Sequence, residues 1–378
     1  MFSRDELALI WFDYNDLTFL KVEKILREFN HIGDIFDKNL IKNANFAKIG
    51  LEEVKAKLLD VEEKVFEEKI ENEFYKYNIS AVTFASKDYP EKLKTIDSPP
   101  LVLYVRGDTK LLGKKSIAIV GTRKPTTYGR IVCEKFTREL SSAGLVTVSG
   151  LAYGIDTVVA ETTLEVGGKT IAVLAGGLDS VYPSQNKALS KRVEENGLLV
   201  SEQRIGVKPA NYMFVNRNRI VSALSLGTLI VEAGKNSGTM TTARHAIEQA
   251  RELFVVPGNI YSFQSEGTNN LIDEMPETFT ISPERILFKL KIKKRKIEES
   301  AVQVDLVQNK ILNELESEEL SFDELSDRTG IKPAELSSEL IKMEMFGLVR
   351  KGSSNTYFKM WCFRQNKKLC ACKVIFVG

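Results

Sequence analysis

The chain is short of several things, and each shortage closes off a class of function. Of its 378 residues only His31 and His245 are histidines, and Ser149 and Ser237 lack the G-x-S-x-G elbow, which argues against a serine-triad hydrolase. The four cysteines follow no framework spacing, which suits a reducing cytoplasm rather than a disulfide scaffold. Charge is nearly balanced, 53 basic against 51 acidic residues, so any polyanion site must arise from local clustering. No stretch approaches the roughly 18 apolar residues of a membrane span. The opening MFSRDELALIWF lacks the basic and apolar regions of a signal peptide. The expectation is a soluble cytoplasmic protein without membrane contact.

The most telling shortage is of glycine at one turn. IAIVGTRKPTTYGR, residues 117–130, begins as a buried strand and runs into a helix, as a dinucleotide site does. That site wants three glycines in the spacing G-x-G-x-x-G. Here Gly121 is followed by Thr122, Arg123 and Lys124, with no second glycine until Gly129. The turn is built for a different anion.

Three regions are expected. Residues 1–72 read as helices, with Leu17, Leu20, Ile25, Leu26 and Phe29 at helical spacing. Residues 77–283 alternate strand and helix: YNISAVTF, LVLYVRG, SIAIVG, LVTVSG, KTIAVLAGG, GLLVSE, GTLIVEAG and LFVVPG are the apolar strands. Strands apolar on both faces and separated by helices predict a Rossmann-like, doubly wound α/β fold with a parallel sheet. A basic linker, 284–300, leads to residues 301–360, where three helices and a two-strand hairpin turning at Gly352–Asn355 predict a winged helix. Its third helix sets Lys332 and Lys342 against Glu335, Glu339 and Glu344, a poor charge pattern for a DNA groove and one that suits a protein contact at least as well. Residues 361–378 form an atypical tail whose C-x-C pair lacks a matching second pair or histidine, so no metal site is expected.

Ligands of open parallel sheets bind at the carboxyl ends of the strands. The strands deliver to that edge Gly121-Thr122-Arg123; Ser149-Gly150; Asn186 and Lys187 after Tyr182; a loop with Lys208; Phe214 and then Asn216, Arg217, Asn218 and Arg219, which open a helix; and Ser237-Gly238-Thr239. Small residues admit a ligand to the backbone amides, and helix N-termini turn donors outward. Five basic residues and no acid lie between Lys114 and Arg130, and four and no acid between Gln203 and Ile220. Such clusters are often plain solvated surface, but both of these bracket the ligand edge. Several cationic turns suit a string of phosphates better than one pyrophosphate. Tyr128, Tyr182, Tyr212 and Phe214 lie close by in sequence and are available to stack bases, although each alone also fits ordinary packing.

GTRKPTTYG, SGLAYGID, YPSQN, FVNRNRIVSALS, VEAGKNSGTMTTA, VPGN and GTNNLI, in this order, resemble the motifs of the DNA-processing protein A family, DprA or Smf. The resemblance covers about residues 77–272, with weaker matches in the N-terminal helices (a SAM-like domain) and the winged helix. It implies a bacterial homodimer that binds single-stranded DNA, and double-stranded DNA more weakly, without a cofactor. It also implies protection of incoming DNA in natural transformation and loading of RecA recombinase onto it, with no enzymatic activity. By motif match Arg123 is the main phosphate anchor, helped by Ser149, Gly150, Asn186, Lys187, Arg217 and Asn218; Lys208 lies in a variable loop. Two departures stand out: Val215 replaces a usual proline, and DEMPET replaces a usual glycine-alanine.

Two other readings compete. Gly238-Thr239 is similar to the late-strand turn of Rossmann-type nucleotide phosphoribohydrolases, but the preceding proline-glycine-glycine and the glutamate three residues on are missing. Glu232 and Asp156, at strand ends, are placed for catalysis or, more simply, for capping. A regulator reading duplex DNA through the winged helix is disfavoured by its acidic third helix.

Overall fold

The computed structural model describes residues 2–46, 51–293, 305–316, 318–345, 348–352 and 356–359. Contacts divide the chain into two units, Met1–Arg295 and Lys296–Gly378. Among the described residues no helix is long and apolar enough to cross a membrane.

Each apolar run expected to be a strand forms one: β1 (Ser80–Thr83), β2 (Val102–Gly107), β3 (Ser116–Val120), β4 (Val146–Ser149), β5 (Thr170–Leu174), β6 (Leu198–Ser201), β7 (Gly227–Ile230) and β8 (Glu252–Val255). They make one sheet in the order β1-β2-β6-β5-β4-β3-β7-β8. Neighbours from β6 to β8 run parallel, whereas β1–β2 and β2–β6 pair antiparallel. Every residue of β3 and β5 is buried, as strands covered on both faces must be.

Side chains alternate between two cores with the period of two that a strand imposes. Ala118, Val120, Ile171 and Val173 join Ile220, Val221, Ala243 and Ala246 from the helices Asn211–Ala223 and Thr239–Glu248. On the opposite face, Ile117 and Ile119 meet Cys133, Phe136 and Leu140 of the helix Thr127–Ser142. Farther along, Tyr104, Ala172, Leu174 and Leu199 meet Leu9, Phe12, Ile70 and Phe74, so the N-terminal helices share a continuous core with the sheet. Polar contacts fasten them: Tyr104 donates to Asp13 at 2.6 Å, and Arg204 reaches Asp16 at 2.8 Å. Burial pushes the Asp13 carboxyl up to about 7, against the hydrogen bond from Tyr104.

The second unit holds the helices Leu306–Glu314, Phe322–Thr329 and Pro333–Met345 around Ile311, Leu325, Leu336, Leu340 and Met343. Three short antiparallel strands, β9 (Leu320–Ser321), β10 (Val349–Lys351) and β11 (Thr356–Lys359), complete a winged helix in the order β10-β11-β9. The sequence shows two of these strands; β9, with two residues, is too short to leave an alternation. Glu339, one of the acids of the third helix, is turned inward, accepting from Gln308 at 2.9 Å and from Lys342 at 2.6 Å. The wing turn at 353–355, the linker residues 294–300 and the tail at 361–378 lie outside the described residues.

Candidate nucleic-acid interface

The strand order reverses at β3, whose neighbours are β4 on one side and β7 on the other. The turns at this switch interlock. Thr122 donates its amide to the Glu232 carbonyl at 2.7 Å, and Ile155 donates to the Thr122 carbonyl at 3.2 Å. Gly154, at φ +76°, lies under the same turn, where a Cβ would come 2.4 Å from the Thr122 oxygen. Arg123 is thereby lifted to the surface, exposed.

Several side chains expected to face a ligand are inside instead. Arg217 is buried and donates through Nη1 to the Val173 carbonyl and through Nε to Asn218 at 3.2 Å. Burial lowers the proton affinity of its guanidinium, with Asp156 opposing; burial also raises that of Asp156, with Arg217 opposing. Asp156 accepts from the amides of Gly150 at 3.2 Å and Ala152 at 3.4 Å, tying down the turn after β4. Ser149 is buried and donates to the Ile119 carbonyl at 2.9 Å. Asn186, also buried, donates to the Leu151 carbonyl at 2.9 Å and to Thr157 at 2.9 Å. Arg219 pairs with Glu202. The expectation of side chains presented to a ligand is therefore corrected for Ser149, Asn186, Arg217 and Arg219: in this structure they are turned toward partners within the fold, on β3, on the turn after β4, on β5 and on Glu202.

The helix carrying Arg217 also differs from expectation. It starts at Asn211, so Asn216 to Arg219 lie within it rather than opening it. Proline at 215 would lack an amide and disfavour a helical residue before it; valine lets the helix extend backwards.

What remains outside forms a line. The Arg123 guanidinium sits 5.1 Å from the Phe214 ring centre. Phe214 meets Tyr182 edge-on at 5.5 Å, and Tyr182 meets Tyr153 at 6.4 Å. Tyr153 donates to Gln185 at 2.6 Å, which holds its ring on the same rim. Tyr182 is 47% exposed and Tyr153 38%, so both residues reach solvent. Tyr153 had no place among the sequence candidates; its position beside YPSQN arises only when the turns after β4 and β5 come together. Lys187, exposed, opens the helix Lys187–Asn196 next to this line. Lys208 is exposed between Val207 and Pro209, which pack on the Gly176-Gly177 turn after β5. Asn218 donates to Thr241 at 3.1 Å and to the Gly238 carbonyl at 3.3 Å, while Ser237 donates to Thr239 at 3.0 Å. The turn after β7 is thus bound to the same helix.

Residues 80–291 match the family described as DNA recombination-mediator protein A, and residues 296–353 match the DprA winged helix domain. The DNA processing protein DprA of Bacillus subtilis is 39% identical over 227 residues, 59% of this chain and 76% of the relative. Protein Smf of Escherichia coli is 35% identical over 274 residues, 70% of this chain and 73% of the relative. Among solved structures, DNA processing protein A of Streptococcus pneumoniae superposes with a TM-score of 0.56 at 34% identity, covering 62% of this chain and 85% of that one. DNA processing protein A of Helicobacter pylori, described for its single-stranded DNA binding mode, does so with 0.51 at 34% identity, covering 56% and 95%. With its switch-point turns, its sheet order and its winged helix accounted for, the chain belongs to the DNA recombination-mediator protein A family.

Proposed function

We propose that this protein binds single-stranded DNA along the carboxyl edge of its parallel sheet. The observation that carries the reading is the series Arg123, Phe214, Tyr182 and Tyr153, in which a cation and three partly exposed rings follow one another along the rim. Rings accept bases of any sequence by stacking, and cations beside them take the phosphates. Arg123, Lys187 and Lys208 supply those cations; Gly121, Thr122, Gly150, Asn218, Ser237, Gly238 and Thr239 shape the turns that present them. The single-strand binding mode described for the Helicobacter pylori relative supports the same ligand. Beyond binding, the family resemblance extends the proposal to a cytoplasmic homodimer that protects DNA entering in natural transformation and loads RecA recombinase onto it, acting by binding and not by catalysis.

A mobility-shift titration with oligo-dT and with duplex DNA at two salt concentrations tests the binding. Tight, sequence-tolerant binding to the single strand, kept when residues 301–378 are removed, supports the proposal. Preference for one duplex sequence, or release of base from a nucleoside monophosphate, would replace it with a regulator or an enzyme.

A further inference from the structure

In a doubly wound sheet the natural anion site is the N-terminus of the helix that follows the first strand of the switch. Here that helix is Thr127–Ser142, and its N-terminus is already filled from within. Glu232, just beyond β7, is 2% exposed and lays its carboxyl group across the cap. Its Oε2 accepts from the Thr126 amide at 2.9 Å and its Oε1 from the Thr126 hydroxyl at 2.7 Å. The hydroxyl accepts in turn from the Gly129 amide at 3.1 Å. Gly129 makes the room, since a Cβ there would stand 2.3 Å from Glu232 Oε2. The partners of this buried acid are an amide, a hydroxyl and the positive end of a helix, which are the groups that hold a phosphate in nucleotide-binding relatives of the fold.

We infer that Glu232 is an internal stand-in for phosphate, which closes the switch-point pocket to free nucleotides and holds the turn that presents Arg123. The second half of this inference rests on the proposed single-strand site; the first does not. Glu232 touches the Arg123 turn from both of its ends: its carbonyl takes the Thr122 amide, and its carboxyl group takes Thr126. Arg123 lies between these two anchors. A mononucleotide meets a buried carboxyl group in front of the cap and finds the Thr126 and Gly129 amides already taken, whereas a strand running outside along the rim meets Arg123 already oriented. Glu232 is in this sense a positioning and specificity-determining residue.

Charge and position make opposite demands, which makes the inference testable. Removing an acid near a polyanion site tightens binding if the acid acts only by its charge. Releasing the turn weakens it. The full-length chain, its Glu232→Ala variant and its Glu232→Gln variant are compared in two assays. The glutamine amide can accept from the Thr126 amide and donate to the Thr126 hydroxyl, so it keeps both contacts without the charge.

In thermal melts with inorganic phosphate, Glu232→Ala is expected to gain about 2–4 °C at roughly ten times the dissociation constant. The parent and Glu232→Gln are expected to gain nothing. In oligo-dT titrations Glu232→Ala is expected to bind about tenfold more weakly, with the salt slope lowered by about 0.7, the equivalent of one lost phosphate contact. Glu232→Gln is expected to bind at least as well as the parent. Absence of phosphate stabilisation in Glu232→Ala overturns the plug, and unchanged or tighter oligonucleotide binding by that variant overturns the positioning role. If the parent itself ignores oligo-dT, the single-strand reading fails while the phosphate melts still decide the plug. Should Glu232→Ala not fold, Glu232→Ser, whose short polar side chain also leaves the cap open, takes its place in both assays.

Discussion

Gly150 and Arg217 occupy each other's space: a Cβ built on Gly150 would lie 2.1 Å from Nη1 of Arg217. The guanidinium therefore reaches the Val173 carbonyl only because residue 150 has no side chain. A buried arginine cannot swing away into solvent as an exposed one does, and Asp156 depends on its field.

Gly150→Ala is accordingly expected to cost about 1–3 kcal/mol by overpacking, and Arg217→Ala about 1.5–3 kcal/mol by removing its charged hydrogen bond to the buried Val173 carbonyl. Urea denaturation of the two variants checks this. A stability equal to the parent for Arg217→Ala would return Arg217 to the list of surface contacts.

Arg123 is exposed and held over Phe214, so its loss should spare stability and strike binding. Arg123→Ala is expected to weaken oligo-dT binding and to lower the log–log salt slope by about 0.7. A titration across salt concentrations reads both, and an unaltered slope would take Arg123 off the phosphate path.

The rings along the rim make a separate prediction, because stacking hardly depends on salt. Tyr182→Ala and Phe214→Ala are each expected to cost about 1–3 kcal/mol of single-strand affinity with the salt slope kept. Quenching of tyrosine fluorescence by oligo-dT, strong in the parent and reduced in Tyr182→Ala, is the direct readout.

Asp13 should tie the stability of the first unit to pH. Its folded value, about 7, stands above the ordinary 3.8, because burial penalises the charged form. The folded state therefore binds the proton more tightly than the unfolded one, so this group's contribution is full below about 4 and is lost as pH rises through about 7. Asp13→Asn, which keeps an acceptor for Tyr104, is expected to gain on the parent by about 1–3 kcal/mol between pH 5 and pH 8. Denaturation at the two pH values measures it; a constant difference would show that Asp13 does not titrate in this range.

The sheet was legible because its strands are apolar on both faces and separated by turns, a pattern that each segment carries locally. The winged helix was legible for the same reason, apart from β9, whose two residues hold no period. The start of the helix at Asn211 was not, because Val215 stands in place of the family's usual proline and the local sequence does not say how far back the helix then runs. Glu232 was recognised as a strand-end acid, yet whether it capped or catalysed depended on Thr126 and Gly129, which come from another turn.

By itself, then, the order of residues determined the layers of the fold and the run of turns that meet at one edge, since hydrophobic period and glycine placement act over a few neighbours. Which polar groups of those turns look outward was decided only by the packing of distant segments. Arg123 and Arg217 are the same residue type in the same motif set. Gly154 and Glu232 raise the first into solvent, and the gap at Gly150 draws the second into the interior, where burying a guanidinium is tolerable only because the Val173 carbonyl and the field of Asp156 are already in place.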